Sequence, residues 1–237
     1  PGCCRVAAES LRLATLPGGG RNGKWLDIGT GCGVVALGAL CKGLCSEAWG
    51  VGREPALVKA AREKARRLGF ERHFHTVEAD ITRINLFAQG LDLEEAALPA
   101  GDFGLVLANP PFRSPEKGRI SQSPLRRNAL FEDRDTLASF CAVAARALSP
   151  EGRFGVLYDA ARRDFLLEKL TDAGLTPLRL LSVRALPGKT PFRILVEARL
   201  RRYIGDRRFR EEELLTIHNS DGTLREEVLE FCTLLAV

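Results

Sequence analysis

The sequence predicts an α/β fold: a doubly wound, mostly parallel sheet of seven strands with an antiparallel hairpin at its edge. Three observations predict it. Short apolar runs alternate with amphipathic stretches up to residue 174, the pattern of strands joined by crossover helices. Two further apolar runs flank the connector RALPGKTP and read as a hairpin. The first apolar run passes into LDIGTGCG (26–33), a glycine cluster between a strand and a helix.

The elements follow in order. KWLDI (24–28) is strand one and VVALGALC (34–41) starts the helix after it. EAWGV (47–51) is strand two. In PALVKAAREKARRLGF (55–70), Pro55 suits a first helical turn, Leu57, Val58, Ala61, Ala65 and Leu68 form one stripe, and Gly69 suits the C-terminal end. FHTVEA (74–79) and FGLVLA (103–108) are strands three and four. LASFCAVAARAL (137–148) is a helix stopped by Pro150 and Gly152, followed by strand RFGVLY (153–158) and helix DFLLEKLTDAG (164–174). PLRLLSV (177–183) and FRILVEARL (192–200) make the hairpin. The tail contains a strand-like LLTIH (214–218) and a helix-like REEVLEFCTLL (225–235).

A chain of 237 residues, 45% hydrophobic, builds a full core, and a single domain is expected. It divides into a lead-in lid or helix segment (1–22), a core (23–200) and a strand-helix extension (201–237). No apolar run approaches the ~18 residues of a membrane span, and no secretory signal is visible, so a cytoplasmic location is expected. Seven cysteines, an odd number scattered through apolar segments, do not read as a disulfide framework, and CKGLC (41–45) has no second pair to complete a zinc site. No metal is expected. The net charge of +5 gathers in two Arg-rich stretches, 113–134 (including Arg113, Arg126 and Arg127) and 199–210. Phosphates would favour both; a solvated surface with interleaved acids is the alternative.

In an open α/β sheet the site lies beyond the carboxyl ends of the strands. There the cluster supplies Asp27, Gly29, Gly31 and Gly33, where backbone can approach a ligand and turn into a helix. Asp27 would repel a pyrophosphate and suits a cationic ligand, which points away from NAD and toward S-adenosylmethionine. Strand two should end in an acid for ribose hydroxyls. Gly52 stands at that place and Glu54 two residues later, so Glu54 is either that acid or a helix first-turn carboxylate favoured by the dipole. After strand three, Asp80 can accept from an adenine amino group and Ile81 can cover the ring.

The fourth strand ends in LANPPF (107–112). Prolines end strands. The Asn109 side-chain oxygen and the Pro110 carbonyl are two acceptors, able to hold both N–H groups of an exocyclic amine and aim its lone pair. Pro111 stiffens the loop, and Phe112 can stack on something flat, worth roughly 1–3 kcal/mol for a base.

LDIGTGCGVVAL, VEADI and LANPPF together resemble the Rossmann-like, class I methyltransferases that use S-adenosylmethionine and carry an Asn-Pro-Pro-aromatic motif. Within that group the chain looks most like the bacterial tRNA1(Val) adenine-37 N(6)-methyltransferase family, through AAESLRLATL (7–16), SPLRRNALFED (123–133) and KTPFRILVEARL (189–200). It departs from the family's pattern at Gly52, where an acid is expected, and at Glu9, where Asp is expected. The resemblance implies methylation of adenine N6 in tRNA, no metal, and a monomer or weak homodimer. Asn109, Pro110, Pro111 and Phe112 would then be catalytic, with Asp27, Gly29, Gly31, Gly33, Glu54, Asp80 and Ile81 on the cofactor. Phe112, Arg113, Arg126 and Arg127 would hold the acceptor.

Related readings keep the motif and change the acceptor. Release-factor glutamine methyltransferases are expected to carry an extra helical domain, and rRNA guanine 2-amino methyltransferases a duplicated one. A third reading is a non-catalytic RNA-binding relic that lost cofactor affinity at Gly52.

Overall fold

The strand KWLDI forms because its residues can be buried on both sides of a sheet: Trp25 packs on one face, Leu26 and Ile28 on the other. A computed structural model of the chain describes residues 23–82, 98–110 and 136–226. The expected lid or helix segment 1–22, almost all of the expected helix 225–235, and Pro111, Phe112, Arg113, Arg126 and Arg127 lie outside the described residues.

The elements are β1 (Lys24–Ile28), α1 (Val34–Cys41), β2 (Glu47–Gly52), α2 (Pro55–Arg67), β3 (Phe74–Glu78), β4 (Phe103–Ala108), α3 (Thr136–Ala147), β5 (Leu148–Asp159), α4 (Arg163–Asp172), β6 (Leu175–Arg184), β7 (Arg193–Leu200) and β8 (Arg210–Thr216). They build one sheet in the order β3-β2-β1-β4-β5-β7-β6-β8. Strands β1 to β5 pair in parallel, β7 runs antiparallel between β5 and β6, and β8 pairs parallel with β6.

Helices cover both faces. Ala36, Leu37 and Leu40 of α1 and Ala61 and Ala65 of α2 pack with Trp25, Leu105 and Leu107. Leu137, Phe140 and Val143 of α3 and Leu166 and Leu170 of α4 pack with Leu26, Val106, Phe154 and Val156. The sheet is therefore doubly wound, as the alternation of elements predicts. Helix α2 buries Val58, Ala61 and Ala65 and ends where Gly69 takes φ 76°, the left-handed conformation that terminates helices.

Two details differ from the sequence reading. The sheet has eight strands, and the β6–β7 hairpin is not at its edge, because β8 pairs on the outer side of β6. That strand starts at Arg210, four residues before the apolar run LLTIH, since Arg210–Glu213 are charged and read as non-strand. Charged residues on an outermost strand discourage pairing with another chain. The second difference is at β5, which begins at Leu148, within the predicted helix. Its register jumps from Phe103↔Leu148 to Leu105↔Arg153, so Ser149–Gly152 bulge away from β4.

Gly152 makes this bulge possible. A Cβ there would stand 2.6 Å from the Phe103 carbonyl oxygen and 3.0 Å from that of Ser149, both backbone atoms that cannot swing aside. Gly152→Ala should cost about 1–3 kcal/mol of unfolding free energy, in the range of an overpacked core. Urea denaturation measures it; a wild-type midpoint would show that the bulge relaxes freely.

Candidate active site at the carboxyl edge of the sheet

The chain leaves β1 through a turn that L side chains rarely adopt. Gly29, Gly31 and Gly33 have φ of 81°, 54° and 77°, all left-handed. The N–H groups of Gly29 and Thr30 both donate to the Val51 carbonyl at 2.9 Å, so the turn is sewn to β2. A Cβ on Gly29 would touch the Phe140 ring at 3.4 Å. One on Gly31 would meet nothing within 4 Å among the described residues, so there the conformation alone requires glycine. One on Gly33 would lie 3.0 Å from the Ala61 Cβ. The third glycine thus serves the close approach of α1 to α2 and begins α1 as its N-terminal cap residue.

Asp27 sits beneath this turn with 7% of its surface exposed. Its Oδ2 accepts a hydrogen bond from Thr30 Oγ1 at 2.8 Å. Burial pushes its carboxyl up to about 6, and the Thr30 hydroxyl pulls the other way. Thr30 in turn needs Gly50: a Cβ there would collide with Thr30 Cγ2 at 2.8 Å and Oγ1 at 2.9 Å. Sequence reasoning missed both residues. Their signal was present in GTG and WGVG, a hydroxyl inside the glycine cluster and a glycine in the middle of a strand. Lys64, also missed, reaches from α2 to donate to the Cys32 carbonyl at 3.2 Å.

The neighbouring strands end level with this turn. Ile28 pairs with Val51 and with Ala108, and Gly52 pairs with Glu78, so residues just after β1, β2, β3 and β4 share one edge. Glu54 is the N-terminal cap residue of α2, but its carboxylate makes no capping hydrogen bond; its carbonyl accepts from Leu57 and Val58 instead. Asp80 closes a turn, its Oδ1 accepting from the Thr82 amide at 3.1 Å and hydroxyl at 2.7 Å. Ile81 is 6% exposed and packs with Leu26, Ile28 and Val51, anchoring that turn in the core. Asn109 follows β4, and its Oδ1 is buried with no hydrogen-bond partner among the described residues. Pro110 is buried beside it.

The Arg-rich stretch 199–210 does not lie at this edge. Strand β7 is reversed, so residues 199–210 emerge at the opposite, amino-terminal edge, where Leu200 pairs with Leu175 and Arg210 with Arg179. Several of these arginines brace the fold. Arg199, 8% exposed, donates to the Glu151 carbonyl at 3.1 Å, and Arg201 to that of Thr171 at 3.2 Å. Stretch 113–134 lies outside the described residues.

The described cysteines, Cys32, Cys41, Cys45 and Cys141, are free thiols, and burial pushes Cys45 and Cys141 up to about 12. Such thiols are poor nucleophiles at neutral pH. Among the described residues no group of three His, Cys, Asp or Glu could hold a metal ion, and no helix is long and apolar enough to cross a membrane.

The Asp27 carboxyl sets a pH dependence. Its folded value, about 6, lies above the unfolded value of 3.8, so the folded state holds the extra proton between them and stability falls as pH rises through that window. At about 1.36 kcal/mol per unit, the loss is on the order of 2–3 kcal/mol. Ligand-free Asp27→Asn should therefore be more stable than wild type at pH 7 by a similar amount and flatter between pH 4 and 6. Denaturation across that range tests it, and parallel curves for the two proteins would overturn it.

No family model matches the chain. A tRNA1(Val) (adenine(37)-N6)-methyltransferase from Porphyromonas gingivalis is 29% identical over 205 residues, 84% of this chain and 76% of its own length. A release factor glutamine methyltransferase from Rhodospirillum rubrum is 31% identical over 176 residues, 70% of this chain and 48% of its own length, so the chain spans about half of that relative. Among solved structures, a predicted O-methyltransferase from Agrobacterium tumefaciens superposes with a TM-score of 0.69 at 16% identity, covering 99% of this chain and 97% of the other. In fold, the chain is similar to these class I, Rossmann-like methyltransferases.

Proposed function

We propose that this chain transfers a methyl group from S-adenosylmethionine to an exocyclic amine, and that the amine is N6 of an adenine in tRNA. One observation carries the reading: the buried Oδ1 of Asn109 beside the glycine turn, which has no partner among the described residues. Leaving such an acceptor unmet costs roughly 1–3 kcal/mol. A substrate N–H would meet it. The relative with 29% identity over 84% of the chain supports adenine N6 and tRNA.

The residues at the edge fit the donor. The glycine turn lets backbone approach a ligand, the Asp27 carboxylate suits the cationic amino end, Glu54 suits the ribose hydroxyls, and Asp80 suits the adenine amino group. When bound, S-adenosylmethionine supplies an electrophilic methyl on a sulfonium. The chain's own contribution is to the nucleophile. An adenine amine is a poor one, because its lone pair is delocalised into the ring. Asn109 Oδ1 and the Pro110 carbonyl accept its two N–H groups, turn the nitrogen toward tetrahedral geometry and hold it in line. The proton leaves to water after the methyl has moved, so no strong base is required. Proximity does most of the rest. Phe112 stacks on the base in this reading, and Arg113, Arg126 and Arg127 take phosphates.

A second reading has its own support. The release factor methyltransferase relative acts on glutamine, whose side-chain amide is also a planar NH2 with a delocalised lone pair. The same two acceptors would serve it. Labelled methyl transfer to tRNA, rRNA and protein fractions, followed by nucleoside and peptide analysis, separates the acceptors.

Asn109→Ala tests the shared chemistry. Folding should be unimpaired, because the variant removes an unmet buried acceptor, and cofactor affinity should stay near wild type. Single-turnover methylation should fall by a few powers of ten, each 1.36 kcal/mol of lost transition-state stabilisation being about tenfold. Asn109→Asp still accepts and should retain part of the rate. A wild-type single-turnover rate in Asn109→Ala would reduce the motif to a turn and end the amine reading.

A further inference from the structure

We propose that the loop between β6 and β7 is an RNA contact beside the active site, with Phe192 stacking on a base near the acceptor and Lys189 meeting a backbone phosphate. The proposal rests on the RNA reading above and adds to it a surface outside the Asn-Pro-Pro-Phe motif.

Three large hydrophobic side chains stand exposed among the described residues: Phe192, Tyr203 and Phe209. Tyr203 and Phe209 follow β7 and lie at the amino-terminal edge, away from Asn109. Phe192 precedes β7 and lies at the carboxyl edge with the site. The strand order β4-β5-β7, with Ala108 level with Val156 and Asp159 level with Arg193, puts Phe192 about 10–15 Å from Asn109 by strand spacing and rise. That separation suits a nucleotide close to the target in the same strand.

The exposure of Phe192 is not that of a loose loop. Its N–H donates to the Val183 carbonyl at 2.9 Å, and its own carbonyl accepts from Ala160 N at 3.4 Å and Arg193 Nη1 at 2.8 Å. The backbone is tied on both sides while 39% of the residue faces outward. A ring held this way is a preorganised stacking platform, because little freedom remains to be lost on binding. The Arg193 guanidinium stands 5.3 Å from its centroid, and nearby Arg162 stacks at 4.5 Å on Phe165.

The charge around the ring favours a polyanion. Segments 159–164 and 184–193 carry five cations against two acids; Arg193 pairs with Asp159 at 3.5 Å and Arg163 with Glu211 at 3.2 Å, which leaves Arg162, Arg184 and Lys189 against Asp164. Lys189 is exposed in a tight turn, its N–H donating to the Leu186 carbonyl at 3.2 Å beside Gly188 at φ 75°. A turn-mounted lysine next to a fixed ring matches the pairing of phosphate contact and base stacking by which single-stranded nucleic acid is held.

The test uses the full chain, an in vitro transcribed tRNA pool as RNA probe, and S-adenosylhomocysteine as cofactor probe. Phe192→Ala should weaken RNA binding roughly five- to hundredfold, the equivalent of one lost base stack. Phe192→Tyr, which keeps the ring, should stay close to wild type. Lys189→Gln should flatten the slope of log affinity against log salt by about 0.7–0.9, one phosphate's share. S-adenosylhomocysteine affinity should not change in any variant, which also certifies the fold. Wild-type RNA affinity and salt slope in Phe192→Ala and Lys189→Gln would overturn the proposal. The wild-type acceptor assay separates this failure from that of the parent reading. If RNA is methylated and these variants bind like wild type, the loop proposal alone falls. If only protein is methylated and Phe192→Ala impairs that transfer, the surface serves a protein and the RNA assignment is overturned with its parent.

Discussion

The buried Asp27 carboxylate, with a single hydroxyl from Thr30 at 2.8 Å, is the constraint around which the rest of the site is arranged. A charge in that position costs the fold stability, since burial outweighs one hydrogen bond. What surrounds it follows from steric demands. Thr30 can reach Asp27 only because Gly50 leaves space in β2, and the turn carrying Thr30 closes only with left-handed glycines. Gly33 lets α1 settle against α2. Three glycines in the turn and one in β2 thus shape the surroundings of one carboxylate. The arrangement gives up stability to present a negative charge under a backbone cradle, and in the proposed function a cationic ligand returns the loss.

Topology then gathers the other groups. From β1 the chain winds one way through β2 and β3, and β4 starts the other half, so the sheet order reverses between β1 and β4. The crevice outside such a reversal is where open α/β sheets bind ligands. Here it brings the glycine turn next to Asn109, with Ile28 level with Ala108. Glu54 and Asp80 stand farther along the same edge because their strands end in step. The site is a row of strand ends, each supplying one polar group.

Much of this was legible in the sequence. KWLDI, VVALGALC and FGLVLA coincide residue for residue with β1, α1 and β4, because each is an apolar run bounded by residues that cannot continue it. Glycine spacing located the turn, and prolines located the end of β4. The start of β5 was hidden: ALSPEG reads as a helix ending in a breaker, while the structure uses Gly152 to bulge a strand. The charged beginning of β8 was hidden by the same property that suits it to an outer position. The position of the Arg-rich stretch 199–210 could not be read, because a count of charges carries no direction. Only the reversal of β7, a tertiary fact, takes it away from the site. Nor could spacing say that Asn109 Oδ1 would be buried without a partner among the described residues.

The two edges of the sheet divide their work accordingly. At the amino-terminal edge and its adjoining strands, charge is matched within the protein. Arg153, 1% exposed, lies 3.6 Å from Glu197, which also faces Arg179 at 3.7 Å, and Arg199 meets Glu151 at 3.6 Å. Of these, only the Arg153–Glu197 pair is buried on both sides, and removing one member of such a pair strands the other, typically at about 3–5 kcal/mol. At the carboxyl edge Arg193 also pairs with Asp159 at 3.5 Å, but three groups stay open among the described residues: a raised carboxyl at Asp27, an acceptor without a donor at Asn109, and a glutamate at the head of α2 that caps nothing. Departures from satisfied polar burial in a folded chain concentrate where a ligand completes them. Asp27, Glu54 and Asn109 lie along one edge, beside the reversal of strand order, and together they support the proposal that a ligand completes this row of strand ends.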